Sequence, residues 1–308
     1  MALRAHARGG PEQLVYEQAP RPVPGPGEAL VAVHAAGITV NELSWDASWT
    51  TADGADRTPV IPAHEVSGTV ASTGPGDTDV AAGDEVYALI DFDRDGAAAD
   101  YTTVPAAALA PRPRSLSHAD AATLPLAALT AWQALVDHAG LQPGERVLVQ
   151  GGAGGVGVYA VQLAAILGGH VTATGHSASE AFVRDLGAAD FVTADAVSSP
   201  DGVGELDVVI DTVGGQVLTD SFSLLRPGGR LVTLTARPDP QLAAAHGVQA
   251  SFFIVQPDRA DLVSIATLAN EGRLRPVVSQ TFPLADGRSA YASGSHPRPP
   301  GKTVLIVR

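Results

Sequence analysis

Val147-Leu148-Val149-Gln150 runs directly into Gly151-Gly152-Ala153-Gly154-Gly155-Val156-Gly157. An apolar strand, a glycine cluster and then a helical segment to about Leu167 is the order that a dinucleotide pyrophosphate requires. Glycines let the chain turn tightly and bring backbone N–H groups against phosphate oxygens. The start of the helix adds unpaired donors and a field that favours the anion. On this reading Gly152, Ala153, Gly154, Gly155 and Val156 touch the cofactor. The same residues suit a plain glycine-rich surface turn, and the surrounding sequence has to decide between the two.

Two further stretches carry reactive types. Asn41-Glu42-Leu43-Ser44-Trp45-Asp46 offers an amide that can hydrogen-bond a carbonyl and an indole that can wall a flat substrate, with Trp49 extending that wall. Glu42, Asp46 and His64 are the acid–base candidates, His64 within Ile61-Pro62-Ala63-His64-Glu65. The second expected strand of the dinucleotide region leads into Ala173-Thr174-Gly175-His176-Ser177-Ala178-Ser179, with no acidic residue before Glu180. An acidic side chain there would accept from the ribose hydroxyls of NAD and would repel the 2′-phosphate of NADP. His176, Ser177 and Arg184 do not repel it, so the expected cofactor is NADP(H). The chain's single lysine, Lys302, lies far along the sequence from this segment.

Composition removes whole classes of function. There is no cysteine, which excludes disulfides, thiolate chemistry and Cys-ligated zinc. A net charge of −14 opposes nucleic acid and anionic membrane surfaces as partners. No apolar run reaches the length of a membrane span, and the start Met1-Ala2-Leu3-Arg4-Ala5-His6 does not read as a signal peptide, so a cytoplasmic location is expected.

The positioning elements divide the chain. The first hundred residues read as short strands, among them 29–38, 68–74 and 84–90, punctuated by Pro24-Gly25-Pro26-Gly27, Gly74-Pro75-Gly76-Asp77 and Ala82-Gly83-Asp84. An alanine-rich helical segment follows from 120 to 138, capped by Ser117 or Asp120 and broken at Pro125. Strands are then expected at 146–150, 170–174, 190–192, 206–211 and 230–235, with helices at 156–167, 179–186 and 216–225, and a turn at Pro227-Gly228-Gly229. That alternation predicts a doubly wound parallel sheet. A strand at 249–255, a helix at 258–271 and strands at 276–282 and 303–307 complete the chain, the last returning to the N-terminal module. Pro297, Pro299 and Pro300 predict an irregular stretch before it.

Several ordered motifs together resemble one family. Gly37, Asn41, Ile61-Pro62-Ala63-His64-Glu65, Asp137-His138-Ala139-Gly140, the glycine run, Gln162-Leu163-Ala164, Leu186-Gly187-Ala188, Asp211-Thr212-Val213-Gly214-Gly215 and Gly301-Lys302-Thr303-Val304-Leu305 resemble the medium-chain dehydrogenase/reductase superfamily. The nearest branch is the zinc-free quinone oxidoreductases, the zeta-crystallin-like group. The resemblance implies an α/β chain: a GroES-like β-rich catalytic domain over 1–116, a Rossmann doubly wound parallel-sheet domain over 117–256, and a segment over 257–308 completing the catalytic domain. It also implies cofactor contacts from Asn41, Thr130, Val213, Leu234, Thr235, Phe252, Phe253 and Ile254, and a homodimer. The implied reaction is zinc-independent hydride transfer from NADPH to a quinone or conjugated enone. Asn41, Trp45 and His64 are its candidate catalytic residues. The alternatives are a biosynthetic enoyl-thioester reductase, or an NADP(H)-binding protein with a cyclase-like or structural role.

Overall fold

The computed structural model describes residues 1–51, 53–194, 203–295 and 299–308. The chain divides into two compact units, one of Met1–Leu126 with Gln256–Arg308, the other of Ala127–Val255. The first boundary thus falls ten residues later than the expected 116/117. The reason is local: Pro125 splits the alanine-rich segment into helices His118–Ala121 and Ala127–Gln133, and the division follows that break. The Ser117 side chain caps the first of these, accepting from the Asp120 N–H at 3.1 Å. The second passes into a π turn at Ala134–His138.

The first unit is built around the strand Glu28–Ile38, whose valines and alanines are mostly buried. Two register shifts, between Leu30 and Val31 and between Val33 and Ala35, let it bend. One edge pairs antiparallel with Glu65–Thr73 along its length. The other pairs first with Tyr101–Pro105 and then, at Ala35–Ile38, with Lys302–Ile306. The C-terminal segment therefore closes the N-terminal sheet, as the sequence expects of its final strand. Gly37 has no alternative at this junction: a Cβ there would lie 2.2 Å from the Ala122 carbonyl oxygen.

The second unit holds, among the described residues, a six-stranded parallel sheet. Its strands, in spatial order, begin at Asp190, His170, Arg146, Leu206, Leu225 and Gln249. Numbered along the chain that is 3-2-1-4-5-6, the doubly wound order with its switch point between strands 146–150 and 206–211. These two strands and their neighbours are valine, leucine and isoleucine-rich because both faces are covered. The helix Gly157–Ile166 is apolar all round, and its first eight residues are all buried.

Two sequence expectations fail here. Pro227-Gly228-Gly229 is not a turn outside a strand but lies within strand Leu225–Thr233, where the register against Leu206–Asp211 slips at Leu206/Val208. Arg226 pairs with Asp207 at 2.5 Å across that irregular end. Helices Pro240–His246 and Gly287–Ala292 are additional; Asp239 and Gly247 (φ 64°) cap the former. Pro297 lies outside the described residues. No helix among the described residues is long and apolar enough to cross a membrane.

Candidate active site

Register aligns the strand ends of the second unit in one row. Gly175 pairs with Thr193, Asp211 with both Gln150 and Thr233, and Thr233 with Phe252. The residues expected to contact cofactor follow these ends directly: Gly152–Val156, His176 and Ser177, Val213, Leu234 and Thr235, Phe253 and Ile254.

The glycine turn is bound into the sheet on both sides. The Gly151 N–H donates to Thr174 Oγ1 at 3.0 Å, and Thr174 Oγ1 donates to Gln150 Oε1 at 2.7 Å. Gly151 has φ 76°, which favours glycine, and a Cβ on Gly157 would sit 2.0 Å from the Gly151 carbonyl oxygen. The helix can therefore start against the turn only without a side chain at Gly157. Asp211, fully buried, fixes the loop after the fourth strand. It accepts from the N–H groups of Val213 (3.0 Å) and Gly214 (2.9 Å) and from the hydroxyl of Thr233 (2.8 Å). That loop holds Val213 with 52% of its surface exposed, and Ile254 is 56% exposed beyond the sixth strand. A helix N-terminus beside a glycine cradle, with apolar side chains exposed along the same row, fits a dinucleotide.

The remaining expected contacts are less uniform. His176 and Ser177 are exposed after the second strand. Arg184 is not aimed at a phosphate: its guanidinium bonds Glu180 at 2.9 Å and the Ala189 carbonyl at 2.6 Å. Phe252 is half-buried, and Phe253 stacks on His138 with ring centres 4.1 Å apart. Thr130 is buried on helix Ala127–Gln133.

In the first unit, Asn41 is exposed and precedes a 3-10 turn at Glu42–Ser44, with no side-chain capping bond. Trp45 is half-buried and meets Phe92 edge-to-face at 5.3 Å. Phe92 also meets His64 edge-to-face at 5.2 Å. Trp49 does not extend this wall. It is 2% exposed, and its indole N–H donates to the Leu43 carbonyl at 2.9 Å, so it is core. Arg57 braces the cluster from behind, donating to the carbonyls of Ser48 (2.8 Å) and Phe92 (3.3 Å).

His64 is buried, and its Nδ1 has no hydrogen-bond partner among the described residues. Burial, reinforced by the Arg57 charge, pulls its pKa down to about 4. It is thus a neutral ring at physiological pH and not a proton donor. Glu65 is paired with Lys302 at 2.5 Å, both side chains buried. An ammonium group therefore occupies the carboxylate that His64-Glu65 would offer a metal. No group of three His, Asp or Glu side chains among the described residues is arranged to hold a metal ion, and cysteine is absent. A zinc ion does not fit these residues.

Sequence reasoning missed Phe92, Arg57 and Tyr291. The Tyr291 hydroxyl donates to the buried Glu42 carboxyl, which also accepts the Ala63 N–H at 3.2 Å. Burial pushes Glu42 up to about 7, against the opposing pull of Tyr291 and Lys302.

A GroES-like sheet joined to a Rossmann unit is the architecture of a two-domain dinucleotide oxidoreductase. Residues 25–114 match the family described as "Alcohol dehydrogenase GroES-like domain", and residues 179–305 match "Zinc-binding dehydrogenase". A "Probable zinc-binding oxidoreductase, mitochondrial" of Arthroderma benhamiae is 33% identical, over 93% of this chain and 92% of that protein. A "Chloroplast envelope quinone oxidoreductase homolog" of Arabidopsis thaliana is 30% identical over 96% and 95%. "Spectinabilin polyketide synthase system protein NorB" of Streptomyces orinoci is 35% identical over 92% of this chain but only 13% of its own length. Among solved structures, an "NAD-dependent alcohol dehydrogenase" superposes with TM-score 0.90 at 29% identity, covering 100% of this chain and 99% of that one. The quinone oxidoreductase of Coxiella burnetii superposes with TM-score 0.89 at 29% identity and the same coverage.

The chain belongs to the medium-chain dehydrogenase/reductase superfamily, in its zinc-free, quinone-oxidoreductase-like branch. Its class of activity is oxidoreduction with a dinucleotide cofactor. The expected cytoplasmic location is overturned: relatives aligned over nearly their whole length are named as mitochondrial or chloroplast proteins.

Proposed function

We propose that the protein uses NADPH to reduce a quinone or an α,β-unsaturated carbonyl compound, without a metal ion. The observation that carries this reading is the row of strand ends in the Rossmann unit. There the glycine turn, exposed Val213 and exposed Ile254 accompany a second strand that ends without a carboxylate. NADP(H) bound there supplies the hydride.

The protein's own residues do the rest. Gly152, Ala153, Gly154, Gly155 and Val156 hold the pyrophosphate at the helix start. His176 and Ser177 take the 2′-phosphate, while Arg184, held by Glu180, adds only its field. Val213, Leu234 and Thr235 border the ribose, and Thr130, Phe252, Phe253 and Ile254 keep water from the reacting ring. In the first unit Trp45 and Phe92 offer an aromatic face to a flat acceptor. The Asn41 amide donates to the acceptor oxygen and stabilises the negative charge that develops on it. Solvent protonates the product, because His64 is neutral and buried.

Fluorescence titration and turnover over an acceptor panel test this. NADPH should bind at least about tenfold tighter than NADH, a difference of about 1.4 kcal/mol, and quinones or enones should oxidise it. Equal affinities would defeat the cofactor assignment, and no consumption would defeat the reaction. A second reading, an enoyl-thioester reductase, is favoured by the 35% identity to a polyketide synthase segment. Saturated thioester as product, with little quinone turnover, would select it.

A further inference from the structure

Glu42 sits inside the turn that separates Asn41 from Trp45, yet its side chain points away from both into the core, where it is 1% exposed. Its Oε1 is shared by two donors from distant parts of the first unit. One is the hydroxyl of Tyr291, itself buried on helix Gly287–Ala292. The other is the N–H of Ala63 at 3.2 Å. Ala63 has φ 70°, a left-handed conformation that costs a residue with a Cβ on the order of 1 kcal/mol or more and persists only where neighbours impose it. Its carbonyl is held as well, accepting from the Ala97 N–H at 2.6 Å. This strained residue immediately precedes His64, whose ring packs on Phe92, which in turn packs on Trp45. One carboxyl group therefore ties together both walls of the aromatic site: the turn bearing Asn41 and Trp45, and the backbone that presents His64.

We propose that Glu42 is a positioning residue for acceptor binding: its side chain locks the Asn41–Trp45 turn to the Ala63–His64 backbone and to Tyr291, and the acceptor is bound only as well as that lock holds. The proposal deepens the reductase reading and rests on it. The groups facing Glu42 explain why the lock is of the neutral acid. Tyr291 approaches from helix Gly287–Ala292, Lys302 from strand Lys302–Ile306 and Glu65 from strand Glu65–Thr73. Lys302 bonds Glu65 at 2.5 Å and Thr39 at 3.0 Å, and its charge offsets only part of the cost of burying Glu42. Desolvation dominates, and Glu42 loses its proton only near pH 7. Above that pH a buried negative charge replaces the acid within the lock.

The test compares wild type, E42Q, E42A and Y291F in a Trp132→Phe background, which leaves Trp45 and the buried Trp49 as emitters. Acrylamide quenching reads the order of Trp45, and NADPH titration reads the other unit. KM and kcat with a quinone or enone read acceptor binding. Glutamine keeps the accepting oxygen, so E42Q should match wild type at pH 6 in quenching and in KM. E42A and Y291F should quench faster and raise KM about three- to tenfold, the range of one or two net hydrogen bonds, with NADPH affinity unchanged. E42Q as impaired as E42A, or Y291F with wild-type quenching and KM, would overturn the proposal. Y291F decides between lock and no lock even if E42A does not fold. If wild type turns over no acceptor, the reductase reading fails by itself, and the quenching series still decides whether the lock exists.

Discussion

Replacing Glu42 with glutamine should remove one component of the pH dependence of stability. The carboxyl group rises from an ordinary 4.5 to about 7 in the fold. At about 1.36 kcal/mol per pH unit, this rise amounts to about 3 kcal/mol. The sign follows from which state binds the proton. Between pH 4.5 and 7 the folded protein keeps a proton that the unfolded chain has lost, so wild-type stability falls as the pH rises through that window and the loss is complete above it. Glutamine has no proton to lose and can accept from both Ala63 and Tyr291. The E42Q minus wild-type difference should therefore grow by about 3 kcal/mol in favour of E42Q between pH 4.5 and 8. Urea unfolding followed by tryptophan emission measures it, and other titrating groups cancel in the difference where they are not coupled to Glu42. Parallel stability curves would refute the reasoning, because they would mean that Glu42 is an ordinary carboxylate in the fold.

Gly157→Ala drives a Cβ to within 2.0 Å of the Gly151 oxygen; it should cost about 1–3 kcal/mol and weaken NADPH binding at least about tenfold, both read by titration with and without denaturant. His176→Asp adds a carboxylate at the end of the second strand, so the ratio of NADPH to NADH affinity should fall about tenfold or more, whereas Arg184→Ala should lower that ratio much less because Glu180 and Ala189 already occupy the guanidinium and only its field is lost. Trp49→Ala should destabilise the fold by about 3–5 kcal/mol, while Trp45→Ala should leave the unfolding midpoint nearly unchanged and raise acceptor KM. The His64 ring should titrate near pH 4 by NMR; since the unfolded ring takes its proton first, the stability due to His64 should fade as the pH drops from 6.5 toward 4.

The Rossmann unit was legible because its signals are local. Strands Arg146–Gln150 and Leu206–Asp211 match their sequence reading to the residue, as unbroken apolar runs bounded by glycine or polar turns must be buried parallel strands. Pro125 broke its helix as proline should. Strand Leu225–Thr233 was hidden by its own Pro-Gly-Gly, which reads as a turn unless the slipped register of the neighbouring strand is known. Trp45 and Trp49 look alike in sequence; only the indole bond to Leu43 makes one of them core. Glu42 and Tyr291 meet across 249 residues, and Glu65 and Lys302 across nearly as many, so no spacing rule pairs them. Phe92 stands in Asp91-Phe92-Asp93-Arg94-Asp95, a polar stretch that reads as solvent-facing, although Phe92 is half-buried between Trp45 and His64.

The most direct test of a metal-free dinucleotide reductase is isotope transfer. NADPH deuterated at the reactive nicotinamide carbon is incubated with protein stripped by chelator and a conjugated enone, and the product is read by mass spectrometry and NMR. The account predicts one deuterium on the β-carbon of the saturated ketone, at a rate unchanged by chelation. Product without that deuterium, or activity that returns only when zinc is added back, would contradict it.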